Sequence, residues 1–348
     1  MFISDRKELL KAVSSCAQFG KRYESNPLVS IEADKDEDYV CVTYQSASVH
    51  MEYAISGVIT EHLDPSPVDG KDLIAALKFS KLDRVVIQAN GDSLDVGTQG
   101  LLVVPFKAIP SLPLSDSSNF TVAGDNMVTA LKAVKAAMSK DSNRFSLFGV
   151  NFALNDRALQ LTATDGHRLS HVEVEVEQVG CWSGVIPAPV IAQMLTITEQ
   201  GMPPIDFAVD GAGYRIAFPK VMFRGSLQDG TFPDFKRLFP IPAEKISFKV
   251  DDLVDVATRF NRLMKEAPIT LAYGASEALN IGRPGCMEVM MGSSTAQPWA
   301  TVSFNPRYLA EILNPYKGAV AEMQLNGEMA FITFPSFGDK HLIMATRA

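Results

Sequence analysis

One pattern of helices and strands occurs three times along the 348 residues of the chain. Each copy begins with an amphipathic helix, continues with two alternating strands around a turn, and carries a second helix among further strands. The first helices are predicted at residues 6–18, 125–139 and 251–265, and the second helices at 71–80, 187–198 and 306–313. A repeat of this length indicates one supersecondary unit used three times.

The strands that follow the first helices show the alternation of a sheet with one buried face. They are predicted at 28–33 and 39–43, at 148–154 and 158–164 around a turn at 155–156, and at 269–273 and 278–281. Segments rich in proline and aromatic residues, at 109–113 and 232–240, separate the copies, because proline lacks the donor that a strand ladder needs. The sequence therefore predicts an α+β protein of three repeated domains, each a sheet covered on one side by two helices, at 1–116, 117–239 and 240–348.

Composition excludes several classes of protein. No apolar run approaches the roughly 18 residues of a membrane helix, and the charged N-terminal segment does not resemble a secretory signal, so we expect a cytoplasmic protein. The four cysteines lie at least 25 positions apart, which provides no C-x-x-C pair for zinc or redox chemistry. We expect four buried thiols, no metal site and no cofactor.

Charge is distributed unevenly over the predicted helices. The chain has 32 Lys+Arg against 40 Asp+Glu, a formal net charge of −8, which by itself argues against nucleic-acid binding. Yet four of the six helices place basic residues opposite their apolar stripe at 100° per residue. These residues are Lys7, Lys11, Lys71, Lys78, Lys132, Lys135, Arg259, Arg262 and Lys265. One interpretation is that these are ordinary lysines and arginines that face solvent. The other is that the three domains form an arc with their helices on one side, so that the basic helix faces combine into one surface. Such a surface attracts phosphates in a salt-dependent way.

The most distinctive local segment is LTATDGHRL at 161–169. Its Asp165 and His167 are residue types of acid–base catalysis, but the sequence contains no nucleophile elbow, zincin motif, Walker loop or dinucleotide fingerprint to accompany them. A β-turn at Asp165 and Gly166 is the alternative interpretation. His171 follows His167 by four positions, a spacing at which two histidines bind one metal ion only on a helix. Because this segment is predicted as a strand, the pair does not predict a metal site.

Several segments resemble the bacterial DNA polymerase III β subunit, the sliding-clamp family. They are RFSLFGV at 144–150, LTATDGHRL at 161–169, DGTFPDFKRLFP at 229–240, FNPRYL at 304–309 and the C-terminal HLIMATRA at 341–348. The resemblance covers all three repeats and is strongest in the second and third. It implies a head-to-tail homodimer, a ring of six domains with helices around the hole and sheets outside. Such a ring encircles duplex DNA without sequence preference and tethers the replicative polymerase, with no catalytic residue of its own, and a separate clamp loader opens it.

The resemblance also implies a pocket between the second and third domains that accepts short linear peptides from the polymerase, the clamp loader and other proteins. Carried over by position, its lining comprises Leu147, Thr164, Gly166, His167, Arg168, Leu169, Pro233, Arg237, Leu238, Asn305, Tyr308, Met329, Phe331, Leu342, Met344 and Arg347. We expect His167 and Arg168 at the rim. Because Met344 is followed by Ala345 and Thr346, the lip of the pocket is smaller and more polar than is usual in the family.

Contacts with DNA are implied less strongly. By position and charge they are predicted at Lys21, Arg22, Lys71, Lys140, Arg144 and Phe145.

Two other functions stay open at this point: a hydrolase that uses Asp165 and His167, and a repeat scaffold that binds peptides but never encircles DNA.

Overall fold

The structure is a computed structural model that describes residues 1–104, 118–239, 245–263, 267–273, 278–283, 286–291, 293–294, 302–325 and 328–346. Its α-helices are α1 (Arg6–Gly20), α2 (Gly70–Phe79), α3 (Gly124–Lys135), α4 (Ala188–Ile197), α5 (Val250–Leu263) and α6 (Pro306–Leu313). Its strands are β1 (Phe2–Asp5), β2 (Leu28–Asp34), β3 (Tyr39–Gln45), β4 (Val49–Ile55), β5 (Gly57–Ile59), β6 (Leu63–Asp69), β7 (Arg84–Asn90), β8 (Ser93–Val96), β9 (Gln99–Leu102), β10 (Ser118–Val122), β11 (Gly149–Thr164), β12 (Arg168–Pro187), β13 (Ile205–Val209), β14 (Gly213–Ala217), β15 (Val221–Ser226), β16 (Ile246–Lys249), β17 (Ile269–Tyr273), β18 (Ala278–Arg283), β19 (Cys286–Met291), β20 (Ser293–Ser294), β21 (Val302–Phe304), β22 (Val320–Leu325), β23 (Met329–Phe334) and β24 (Asp339–Met344).

Local capping determines where several helices begin. The carboxylate of Asp5 accepts hydrogen bonds from the first amides of α1, and Asp69 does the same for α2. Asn305 caps α6, where Pro306 occupies the first helical position at no cost in hydrogen bonds. All six predicted helices are confirmed. Helix α3 ends earlier than predicted, because residues 136–139 are not helical. Residues 264–265, predicted as the end of α5, lie outside the described residues.

The helix faces also agree with the prediction. The apolar stripes of α1, α2, α3 and α5 are buried, and the basic side chains opposite them are exposed. Lys265 lies outside the described residues. Charge on the helices is therefore presented to solvent, where phosphate contact is possible.

The chain divides into two compact units. The first comprises Met1–Gly124, Ala192–Thr196 and Gly201–Leu227. It contains a five-stranded sheet in the order β5-β1-β7-β8-β9 and an eight-stranded sheet in the order β10-β13-β14-β15-β4-β3-β2-β6. In the larger sheet β15 pairs antiparallel with β4, which joins strands of the second predicted repeat to strands of the first.

The second unit comprises Asp125–Ile191, Ile197–Gln200 and Gln228–Ala348. Its larger sheet has the order β11-β12-β24-β23-β22-β16-β20, and its smaller sheet has the order β19-β18-β17-β21. Here β12 pairs antiparallel with β24, so the second and third repeats also share a sheet. Helices α5 and α6 pack against each other.

The turn predicted at residues 155–156 is wrong. Strand β11 continues through these residues without reversing, because both of its halves pair with β12. Asp156 lies opposite Gly180, whereas Ala158 lies opposite Glu175, and a left-handed φ of 57° at Asp156 accommodates this register shift. The polar residues at this point therefore mark a bulge, which bends a strand but does not end it.

The expectation of four buried thiols is also wrong. Cys16 and Cys41 are buried, but Cys181 is exposed, because it faces outward in the part of β12 that pairs with the first half of β11. The side chain of Cys286 lies outside the described residues.

None of the helices in the described ranges is long and apolar enough to cross a membrane. The domain boundaries at 116/117 and 239/240 border residues outside those ranges and stay a prediction.

Candidate functional site

A tight turn between β11 and β12 organises the site in the second unit. One carboxylate oxygen of Asp165 accepts hydrogen bonds from the amides of His167 at 2.9 Å and Arg168 at 3.0 Å. The hydroxyl of Thr164 donates to the Arg168 carbonyl at 2.7 Å. Gly166 has a φ of 89°, a conformation that favours glycine. The carboxylate of Asp165 is thus occupied in holding the turn, as the turn interpretation predicts.

Arg168 joins this turn to helix α6. Its Nε lies 3.0 Å from Oδ2 of Asp165, its Nη1 lies 2.7 Å from Oε2 of Glu311, and its guanidinium carbon lies 4.3 Å from the centroid of the Tyr308 ring. Burial alone would raise the pKa of Glu311, but hydrogen bonds from Arg307 and Arg168 outweigh it and lower that pKa. Because Arg168 is only 4% exposed, its expected place at the rim is wrong. Arg168 is instead buried between Asp165, Glu311 and the Tyr308 ring.

The exposed His167 follows the turn outward. Its ring stacks on Tyr308 with centroids 6.3 Å apart and planes 25° from parallel. Its backbone carbonyl accepts a hydrogen bond from the amide of Met344 at 2.8 Å, which places the end of β24 beside the turn. Residues of three distant segments thus meet at His167, through its ring and its backbone carbonyl.

An apolar cluster lies next to the turn, on the strand pair β12–β24. Leu169 is directly opposite Leu342, which is directly opposite Phe331. Phe235 completes the buried cluster, and Phe232, Phe239 and Met329 pack against it while partly exposed. His171 lies against the rings of Phe235 and Phe239, and burial lowers its pKa to about 4, so it is neutral at physiological pH. This cluster offers an apolar floor to a ligand.

Two exposed apolar side chains belong to the segments that border this floor. Leu238 is 42% exposed at the end of a short 3₁₀ turn, and Met344 is 39% exposed at the end of β24, opposite Met329. Exposed apolar groups beside a partly open aromatic cluster are typical of a site that receives an apolar anchor.

The other residues predicted for the pocket are placed as follows. Leu147 is half-buried in a 3₁₀ turn that Arg144 connects to the Asp165 carbonyl through a 2.9 Å hydrogen bond. Pro233 and Arg237 are exposed on the segment that contributes Phe235, and Asn305 is the N-cap of α6. Arg347 lies outside the described residues.

Two contributors were not predicted from the sequence. Phe235 is part of the buried cluster. Its neighbours Pro233 and Arg237 were predicted for the pocket, but Phe235 itself was not. Its position in a segment rich in aromatic residues was the signal that could have identified it. Glu311 holds Arg168, and its position three residues after Tyr308 on the same helix face was the signal for it.

The opposite face of the β12–β24 pair carries a buried polar chain. Nδ1 of His341 lies 2.9 Å from the hydroxyl of Ser170, and its Nε2 lies 2.9 Å from the hydroxyl of Tyr316, which donates to Asp339 at 2.5 Å. Burial lowers the pKa of His341 to about 3 and raises that of Asp339 to about 6. Because its members are buried, this chain is part of the core under the site.

The residues predicted to contact DNA are all exposed. In the first unit, Lys21 and Arg22 follow α1, and Lys71 lies in the first turn of α2 and donates to Asn26 at 2.6 Å. In the second unit they are Lys140, Arg144 and Phe145, of which Phe145 is 60% exposed. Exposure permits DNA contact at each of these positions, which remain predictions.

Comparisons with known proteins agree with this geometry. A family model described as the DNA polymerase III beta subunit, central domain, matches residues 121–234. The beta sliding clamp of Caulobacter vibrioides is 26% identical over 354 residues, which cover 92% of this chain and 91% of that protein. The beta sliding clamp of Haemophilus influenzae is 26% identical over 244 residues, which cover 68% of this chain and 65% of that protein.

The fold itself matches a solved structure over its whole length. The crystal structure of the DNA polymerase sliding clamp from Bacillus subtilis superimposes with a TM-score of 0.87 at 18% identity, covering 100% of this chain and 99% of that one. The matched central segment, the relative aligned over more than nine tenths of both chains and the shared fold agree, and this chain is similar to the bacterial DNA polymerase III β subunits, the β sliding clamps.

Proposed function

We propose that this chain is a DNA sliding clamp, which closes as a ring-shaped homodimer around duplex DNA and tethers the replicative polymerase. The observation that carries the proposal is the pairing of strands from different repeats, β15 with β4 and β12 with β24. Such pairs extend a sheet from one repeat to the next, which is what a chain of three domains needs to form half of a ring. Similarity to the β sliding clamps supports the same conclusion.

Charge supports binding to DNA without sequence preference. The exposed basic residues of α1, α2, α3 and α5 lie opposite the buried stripes of these helices. Lysine and arginine side chains that meet phosphates neutralise charge and release counterions but carry no base information. Contacts of this kind let a ring slide along the duplex.

The second unit carries the proposed peptide site. Leu238 and Met344 present apolar side chains beside the aromatic cluster, and His167 presents a polar group next to Met344. A short linear peptide with an apolar anchor fits this combination, since buried apolar anchors dominate peptide affinity. The occupants would be segments of the polymerase, of the clamp loader and of other clamp-binding proteins.

In this function the chain contributes position and not chemistry. Tethering raises the effective concentration of the polymerase at its template, so that dissociation no longer ends synthesis. The work takes place in the cytoplasm, at the nucleoid, and a separate ATP-driven loader opens the ring around DNA. The proposed division into domains at 1–116, 117–239 and 240–348 supplies six domains to each dimer.

Solution mass and DNA topology test the ring. Light scattering should give a mass near twice 37.9 kDa. After loading, the protein should stay on nicked circular DNA and dissociate when that DNA is linearised. A monomer at every concentration, or equal retention on both DNA forms, would contradict the ring and favour a peptide-binding scaffold.

Charge variants test the DNA surface. Replacing Lys132 and Lys135 of α3 by Gln should reduce the slope of log affinity against log salt by up to about 2, close to 0.9 for each phosphate that is no longer neutralised. Lys35→Gln removes an exposed lysine from the turn between β2 and β3 and should leave the slope unchanged. Equal slopes for both variants would place DNA elsewhere.

Apolar variants test the peptide site. A labelled C-terminal peptide of the host's replicative polymerase should bind about tenfold more weakly to Leu238→Ala and to Met344→Ala, as expected when an anchor worth more than about 1 kcal/mol loses its pocket. Val320→Ala is the control, because Val320 is an exposed valine on β22 away from the site. Unchanged affinity in both site variants would reject this location, whatever the ring tests show.

A further inference from the structure

A concave site lies in the first unit, and its lining includes none of the residues of the proposed peptide site or of the predicted DNA contacts. It is a cavity of about 170 Å³ over the strands β2, β3, β4 and β6. Leu28, Pro65 and Pro67 form its apolar walls, and Ser30, Glu32 and His50 are among its polar lining. Pockets for drug-sized ligands hold about 300–1,000 Å³. This cavity therefore suits a single extended side chain or a molecule of similar size.

The prolines explain why the sheet is open here. Strand β6 is the edge strand of the eight-stranded sheet, where proline is tolerated because its missing donor breaks few ladder bonds. The pairing of β2 with β6 shifts register between Ile31 and Ala33, next to Pro65. The bulge and the proline rings together leave a hollow that neighbouring side chains do not fill.

Two polar atoms at the cavity lack a partner within the described part of the chain. The hydroxyl oxygen of Ser30 and Nε2 of His50 are each buried and make no hydrogen bond there. Nearly all buried polar atoms in folded proteins have a partner, so these two atoms are available to a group bound in the cavity.

Charge selects the kind of group. Glu32 accepts a weak hydrogen bond from the thiol of Cys41 at 3.1 Å, and none of the described cations lies within ion-pair distance of it. Burial lowers the pKa of His50, so its imidazole is neutral at pH 7. The other charged groups that act on His50, Glu52 and Arg224, shift its pKa in opposite directions. The cavity therefore retains one uncompensated negative charge beside its proline walls.

We propose that this cavity binds one alkyl cation, a guanidinium or an ammonium group on a short aliphatic stem. The stem packs on Leu28, Pro65 and Pro67, and the cationic head donates to Glu32, with Ser30 and His50 as further partners. A lysine or arginine side chain of a bound protein has this chemistry, and so does a free small amine. Basic side chains bury their stems on apolar surface in this manner and keep their charge paired.

The test uses the full-length protein, labelled with ¹⁵N and deuterated, in titrations followed by amide chemical shifts. The probes are n-butylguanidinium, n-butylammonium and the neutral n-butylurea. We expect saturable shifts around Ser30, Glu32 and His50 with both cations, at dissociation constants on the order of millimolar. The Glu32→Gln variant keeps the acceptor for Cys41 and should weaken both cations by about fivefold, while Glu37→Gln, an exposed glutamate on the adjacent turn, should not.

The source of the cation is distinguished by a blocked Gly-Arg-Gly peptide. Binding as tight as that of n-butylguanidinium assigns the cavity to a protein side chain, and binding of the free cations alone assigns it to a small amine. Equal shifts with n-butylurea, no saturable shift with either cation, or cation affinity unchanged in Glu32→Gln would overturn the proposal.

Discussion

The buried chain of Ser170, His341, Tyr316 and Asp339 allows the effect of one oxygen atom to be calculated. Tyr316→Phe removes the hydroxyl that donates to Asp339 at 2.5 Å and contacts His341 at 2.9 Å. The ring keeps its place, because it stacks on Phe334 with centroids 3.7 Å apart. The substitution therefore leaves two buried polar groups without their shared partner and changes little else.

The cost depends on the protonation of Asp339. Above its pKa of about 6 the carboxylate is charged, and loss of a hydrogen bond to a buried charged group costs about 1.5–3 kcal/mol, with about 1 kcal/mol more for the imidazole. At pH 5 the carboxyl is mostly protonated, so each of the two lost hydrogen bonds is neutral and costs about 1 kcal/mol. We expect Tyr316→Phe to lower the unfolding free energy by about 2.5–4 kcal/mol at pH 7.5 and by about 2 kcal/mol at pH 5.

Proton linkage gives the direction in which the unfolding free energy changes with pH. The folded pKa of Asp339 is raised above its ordinary value, so stability falls as pH rises through the window from about 4 to 6. The Tyr316 hydroxyl opposes that rise by stabilising the carboxylate. Its removal raises the pKa further and extends the loss of stability to higher pH.

Urea unfolding followed by circular dichroism at both pH values measures the difference, and hydrogen exchange of β24 amides reports it locally. Tyr214→Phe is the matched control: the Tyr214 hydroxyl is buried and has no hydrogen-bond partner in the described ranges, so its removal should be neutral or stabilising. Equal losses for the two variants, or a larger loss for Tyr316→Phe at pH 5 than at pH 7.5, would refute the reasoning.

Three further predictions concern the second unit. Arg168→Met should lower the unfolding free energy by about 3 kcal/mol, since it leaves two carboxylates without their shared buried cation; a loss in urea unfolding no larger than that for an exposed arginine would contradict this. Gly149→Ala should cost at least about 3 kcal/mol, because the added Cβ would lie 2.2 Å from a backbone carbonyl oxygen of the facing strand, and an unchanged melting temperature would reject the close approach. His171 and His341 have folded pKa values of about 4 and 3, below the ordinary 6.5, so between about pH 4 and 6.5 the unfolded chain binds more protons than the folded one. The melting temperature should therefore rise with pH in that window, since two histidines outweigh the opposite contribution of Asp339; a melting temperature that falls or stays level would contradict the burial of the two rings.

Much of the fold could be predicted because its signals are local. A helical face or an alternating strand needs only neighbouring residues, and α6 begins and ends where the periodicity and the Asn305-Pro306 start predict. The second half of β11 was also predicted, but its junction with the first half was not. A polar Asn-Asp pair has the composition of a turn, and only the pairing of both halves with β12 makes it a bulge.

For the candidate site, too, the sequence predicted some features and the tertiary structure decided others. The sequence by itself determined which residues carry the family pattern. It predicted that His167, Tyr308 and Met344 share one site, and the structure brings these residues together from segments far apart in the chain. Only the tertiary structure decided that Arg168 lies under the site and not at its rim, because its burial depends on Glu311 and on the pairing of β12 with β24. Those contacts join residues more than 140 positions apart, and their energies depend on distance and desolvation, which no local pattern encodes.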